Sequence, residues 1–241
     1  MKNIALTLAS LWLALAHAPQ ALAQASCSSD GTPRPLAVFE RFISADCEAC
    51  WGDAATPAPS ANAGAMVLDW IVPGKTGDEA PLSAAATTDA LPRLKALGRK
   101  PPISTDVYVT PVDGAARGRL RVAHGVAFND YVGTGINFTP SPVAPQRKAA
   151  ATPLAFRLLL VEAIPTGTDG TVVPRFIVRN QFEGTWPQAY RAASSKGKPW
   201  AWMETRSMRI PDGAQAERLH LVGWVQDASG SIVAAAQSVC R

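Results

Sequence analysis

Beyond residue 118 the chain is a succession of short strand-like segments, and nothing else in it narrows the choice of fold so far. Segments 119–126, 131–138, 154–164, 171–180, 201–208, 218–226 and 231–239 are apolar or alternating and are parted by turn-forming residues. Short strands at this spacing predict an antiparallel β-sandwich. The last two flank Asp227-Ala228-Ser229-Gly230, whose glycine suits a hairpin loop, and the Pro-rich stretch 140–153 reads as an exposed connection. No internal repeat is evident.

The first half has another texture. Residues 36–43 form an apolar run rich in strand formers, residues 51–65 are small and Pro-bearing, and residues 66–72 form a second apolar strand stopped by Pro73-Gly74. Residues 88–97 place Leu91, Leu94 and Leu97 on one helical face with Pro92 early, which predicts a short helix. After Pro101-Pro102 comes a strand over 106–110 and a turn at Pro111-Val112-Asp113-Gly114. The order β, loop or helix, β, helix, β suits a small α/β layer. Residues 24–117 and 118–241 are thus expected to form two domains.

Export is written at the start. Lys2, the apolar residues 4–16 and Ala21-Leu22-Ala23 are a charged region, a short apolar core and a cleavage site, so residues 1–23 read as a signal peptide. A second Ala-x-Ala, Ala23-Gln24-Ala25, leaves the cut open by two residues. The apolar core is shorter than the roughly 20 residues that span a bilayer, and no later segment reads as transmembrane. The expected location is periplasmic or secreted. Lys and Arg number 23 against 19 Asp and Glu. So mild an excess, with no basic run and no interleaved aromatic pattern, does not predict a nucleic-acid partner.

Four cysteines, Cys27, Cys47, Cys50 and Cys240, survive cleavage, an even count suited to an oxidising compartment. Three pairings are formally open. Neighbours in a Cys-x-x-Cys motif usually pair with each other, which leaves Cys27 and Cys240 to join the ends of the mature chain in a structural disulfide. Lipid attachment is the rival role for Cys27, although Gln24 stands where a lipobox has Leu. Cys47-Glu48-Ala49-Cys50, directly after a strand, is the one constellation that implies chemistry.

Phe39-Glu40-Arg41-Phe42 leading into Cys47-Glu48-Ala49-Cys50, together with the closing hairpin 221–227 and 231–237, resembles an uncharacterised family of secreted bacterial proteins. That family joins a thioredoxin-like, Cys-x-x-Cys-bearing domain to a β-rich C-terminal domain. The resemblance implies an α+β protein, a thioredoxin-like α/β layer followed by an antiparallel β-sandwich, with Cys47 and Cys50 in the catalytic positions. It brings no established reaction and no cofactor. The sequence departs from the pattern at Pro57 and Pro59, which cut any helix begun at Cys47 to two or three turns and so reduce the dipole that would stabilise a thiolate.

Asp46 and Glu48 also oppose a thiolate at Cys47, because like charges disfavour a second anion. A reduced pair without thiolate stabilisation makes a poor oxidant, leaving a reductant, an isomerase or a permanent staple. His124 and His220, the mature histidines, lie in strand patterns and carry no catalytic motif. Two histidines and four scattered cysteines give no second ligand pair at zinc spacing, so no metal is expected. No GxSxG, HExxH or dinucleotide-binding glycine loop occurs. Trp200 and Trp202 share a strand face and Trp186 lies in a turn-like stretch, a pattern of packed core more often than of a ligand platform. Two functions remain: thiol-disulfide exchange with a protein thiol partner through Cys47 and Cys50, or a non-catalytic binding or envelope-structural module with inert disulfides.

Overall fold

The computed structural model describes residues 27–60, 62–113, 118–141, 153–186 and 201–240. Residues 1–23, read above as a signal peptide, Trp200 and most of the Pro-rich connection 140–153 lie outside the described residues. Among the described residues twelve strands form two sheets. The first sheet is antiparallel and runs β12-β1-β5-β6-β9, where β1 is Cys27–Ser28, β5 Gly118–Phe128, β6 Tyr131–Pro140, β9 Trp202–Arg209 and β12 Val239–Cys240. The second has seven strands in the order β11-β10-β7-β8-β3-β2-β4: β2 is Ala37–Ser44, β3 Ala65–Val72, β4 Thr105–Pro111, β7 Leu154–Ile164, β8 Arg175–Trp186, β10 Leu219–Gln226 and β11 Ile232–Gln237. Helices are short, with α1 over Glu48–Gly52 and α2 over Ala90–Ala96.

The seven-stranded sheet curls until its two edges meet. Just past β4, Val112 forms a bridge with Ile232 of β11, and the Asp113 N–H donates to the Ile232 carbonyl at 2.8 Å. On the concave side Val38, Phe42, Met66, Leu68, Trp70, Val161, Val222 and Trp224 make one core, and α2 packs over it through Ala90 and Leu94. The central strands are buried on both faces. β7 sends Leu159 and Val161 into the concave core and Leu158 and Leu160 toward the five-stranded sheet, where Val122, Ile136 and Phe138 meet them. This is why β7 and β10 read as nearly unbroken apolar runs instead of alternating. Gly223 of β10 sits at the contact between sheets, where an added Cβ would fall 2.8 Å from Val122 Cγ1.

The same period of two explains the charges in the apolar run 36–43. Glu40 and Arg41 are adjacent and point to opposite faces. Glu40 turns into the concave core and accepts from Arg93 of α2, Nε to Oε1 at 2.8 Å, and from Trp70 Nε1 at 3.0 Å, with the guanidinium 5.4 Å from the Trp224 ring centre. Arg41 faces the other side and grips Asp69 of β3 in two-pronged fashion at 2.6 and 3.0 Å. Both pairs are almost fully buried, a burial tolerable only because each charge is neutralised and hydrogen-bonded.

The thioredoxin-like α/β layer expected from the sequence is overturned. β2, β3 and β4 form where the pattern placed them, but they are one flank of a sheet that continues without a break into β8, β7, β10 and β11. The α/β layer also needs substantial helices against its sheet, whereas α1 has five residues and α2 seven. The fold is β-rich. The order of elements along the chain was legible, but the order of strands in the sheet was not. One sheet draws strands from both sides of residue 118.

Candidate functional site

Cys47 and Cys50 are bonded to each other at a corner where β2 ends. The chain leaves β2 at Ser44, Ala45 donates to the Val72 carbonyl at 2.8 Å, and Cys47 donates back to the Ser44 carbonyl at 3.0 Å. Helix α1 starts at Glu48 with no side-chain cap and stops at Asp53, whose backbone is extended. A helix of one and a half turns supplies little dipole to a thiolate at its start.

Several groups besides the disulfide hold this corner. Trp51 is buried beside Ile43, Ile71, Ile164 and Ile177, and its Nε1 donates to the Asp169 carbonyl at 2.7 Å. Arg175, at the start of β8, is 0% exposed. Its Nη2 donates to the carbonyls of Cys50 at 3.0 Å and Trp51, and to Thr56 Oγ1 at 3.1 Å, while its Nε donates to Thr171 Oγ1 at 3.3 Å. The guanidinium lies 5.2 Å from the Trp51 ring centre, and its Nη1 has no hydrogen-bond partner among the described residues. Burial pushes the Arg175 guanidinium below its ordinary value, with Asp69 acting in the opposite sense. Arg175 therefore caps the carbonyl end of α1 from within the protein, satisfying acceptors that a helix terminus leaves open. Sequence reasoning missed this residue, because nothing in residues 171–180 marks one arginine of a strand as buried.

Asp46, next to Cys47, is engaged elsewhere. Its carboxylate accepts from the N–H of Lys75 at 2.7 Å and of Thr76 at 3.3 Å, and from the Thr76 hydroxyl. Gly74 permits this approach, since a Cβ there would overlap the carboxylate. The Thr76 hydroxyl, then the Lys75 N–H, hold the Asp46 carboxyl below its ordinary value. It remains an anion at neutral pH beside Cys47. Cys47 and Cys50 are half-buried, and Glu48 and Ala49 between them are exposed.

Cys27 and Cys240 are also bonded, directly opposite each other on β1 and β12 with Cα atoms 4.0 Å apart. On the other side of β1, Cys27 is opposite His124 of β5. Strand pairing thus lines up Cys240, Cys27 and His124, and one potential ligand atom from each lies within 4.8 Å of the other two. The His124 Nδ1 donates to the Gly125 carbonyl at 2.9 Å. His220, on β10, is buried against the edge of Phe176, and burial holds its imidazole down to about 4. Beside this seam Asp30 accepts from Arg119 and Arg121, each at 2.7 Å.

Trp186 and Trp202 are packed between the sheets. Their rings stack 5.9 Å apart, with Phe138 beyond Trp202 and Phe156 beyond Trp186. These rings are core, not an exposed platform. Among the described residues no helix is long and apolar enough to cross a membrane.

No family model matches the chain, and no curated protein is similar to it. Among solved structures, HBP35 of Porphyromonas gingivalis is similar over 86% of this chain and 76% of that chain, at 11% identity and a TM-score of 0.45. At that level the likeness carries no functional information.

Proposed function

We propose that this chain is an exported binding or envelope-structural module in which both disulfides are structural and the β-sheets supply the interaction surface. The observation that supports this most is Arg175: a fully buried cation fixes the carbonyls of Cys50 and Trp51, so the corner carrying the Cys-x-x-Cys pair is tied to the body of the molecule. A five-residue helix and an anionic Asp46 offer Cys47 no thiolate stabilisation. The test is reduction of the native protein by millimolar thiol with alkylation of Cys47 and Cys50. The bond should stay closed until denaturant unfolds the chain, and quantitative labelling of the folded protein would refute the reading.

Thiol-disulfide exchange with a protein partner is the second reading, favoured by the partial exposure of both sulfur-bearing residues. In it Cys47 is attacked and Cys50 resolves the mixed disulfide. A Cys50→Ala variant should then trap mixed disulfides in the envelope, and an empty trap removes this reading.

A further inference from the structure

We propose that Cys27, Cys240 and His124 form a redox-gated site for Cu(I), closed while the two sulfurs are bonded and opened when they are reduced. Three observations converge on it. The register of β12, β1 and β5 sets the three residues side by side, and their ligand atoms already lie within 4.8 Å of one another. Opening the sulfur-sulfur bond to the separation of two ligands on one ion is therefore a small local shift. The two cysteines lie on β1 and β12, each of two residues, and neither belongs to the two large cores.

The His124 Nδ1 donates to the Gly125 carbonyl, which orients the ring and assigns the metal-binding lone pair to Nε2; metal-ligating histidines are commonly held by such a bond from the other nitrogen. Access is uneven in a useful way. Cys240 is exposed and Cys27 is 5% exposed, so a reductant reaches the bond from the Cys240 side while Cys27 and His124 stay inside. Two thiolates and an imidazole are a soft donor set, and no fourth Cys, His, Asp or Glu joins the group among the described residues. Three soft ligands suit Cu(I) better than Zn(II), which takes four.

The chemistry balances with a dithiol as reductant. Its two thiols give two electrons and two protons, the Cys27–Cys240 bond breaks, and the dithiol leaves as a cyclic disulfide. Cu(I) then displaces one proton from each cysteine thiol. The inference rests on the reading of Cys27–Cys240 as structural while the bond is closed and adds what its reduction opens; neither step involves Cys47 or Cys50, so its failure leaves the reading of that corner untouched.

The test uses the mature chain carrying Cys47→Ser and Cys50→Ser, reduced with a phosphine and titrated with Cu(I) against a chromophoric chelator, far-UV circular dichroism being recorded throughout. One Cu(I) per chain is expected, with affinity at least tenfold weaker in His124→Ala and unchanged in His220→Ala. The oxidised chain should not compete with the chelator. Should reduction alone unfold the chain, Cu(I) is expected to restore the native spectrum. Equal affinity in His124→Ala, copper held by a chain that stays unfolded, or equal binding by the oxidised protein would each overturn the proposal.

Discussion

The two disulfides differ in what they close and in what else holds them. Cys27–Cys240 spans 213 residues and Cys47–Cys50 spans three. In the loop-entropy account the first restrains the unfolded chain by about 5 kcal/mol and the second by about 2 kcal/mol, before native-state strain is discounted. The seam joins two strands of only two residues each, β1 and β12, whose flanks are held by Asp30 to Arg119 and Arg121 and by Ser238 to Leu221. At the corner the buried Trp51, Arg175 and the Asp46 turn grip the same few residues independently of sulfur. Loop size makes the seam the disulfide that matters more for stability.

The sharpest way to break that comparison is Cys27→Ser with Cys240→Ser. Urea unfolding should lose up to about 5 kcal/mol, with β1 and β12 detaching first and fast hydrogen exchange confined to that edge. A loss no larger than that of the corner variant would reverse the ranking. Next comes Arg175→Met, which leaves the Cys50 and Trp51 carbonyls without their buried donor; about 3 kcal/mol is expected, from buried acceptors left unsatisfied. If the corner is instead held by its disulfide, the loss will be under about 1 kcal/mol and urea will report it.

Protonation gives stability a pH dependence with two separate windows. His220 is held to about 4 in the folded protein, largely by burial, with His124 across the sheets acting in the same direction. Because its unfolded value is near 6.5, the unfolded chain takes up a proton first as pH falls. Stability from this group is complete above about pH 6.5, is lost between about 6.5 and 4, and amounts to about 3 kcal/mol. His220→Leu should flatten that part of the pH profile. Asp46 works in the other window: its folded value is depressed, so its contribution is present above 3.8 and is lost as pH falls through the lowered folded value. A stability that does not fall between about pH 6.5 and 4, or one that falls equally in His220→Leu, would contradict the His220 assignment.

How much of this was legible is clearest strand by strand. The segments 119–126, 131–138, 154–164 and 218–226 coincide with β5, β6, β7 and β10 within a few residues, because period and turn residues are local properties of the chain. Strand order is not local. A β, helix, β, helix, β sequence fits either a separate layer or the flank of a larger sheet, and the choice falls to contacts such as Asp69 opposite Ile177, which joins β3 to β8. The pairing of Cys27 with Cys240 followed from counting. His124 could not be joined to them from spacing, since it lies 97 positions from Cys27 in sequence and becomes its neighbour only through the β1–β5 ladder. Arg175 was invisible for the same reason: its partners, Cys50, Trp51 and Thr56, come from another part of the chain.

The smallest expected effect is the most discriminating. Cys47→Ser with Cys50→Ser should cost at most about 2 kcal/mol, the loop term for so short a ring, and should leave Trp51 buried because its indole is fixed by the Asp169 carbonyl and packed among isoleucines. The Trp51 emission, taken as the difference between this variant and the same variant carrying Trp51→Phe, would report any opening. If the emission stays blue-shifted and the urea midpoint moves little, the corner is held by packing and by Arg175, and the disulfide merely completes it. A red shift with loss of more than about 3 kcal/mol would instead make the sulfur bond the lock of that corner, and a protein thiol able to open it would then have a structural consequence to produce.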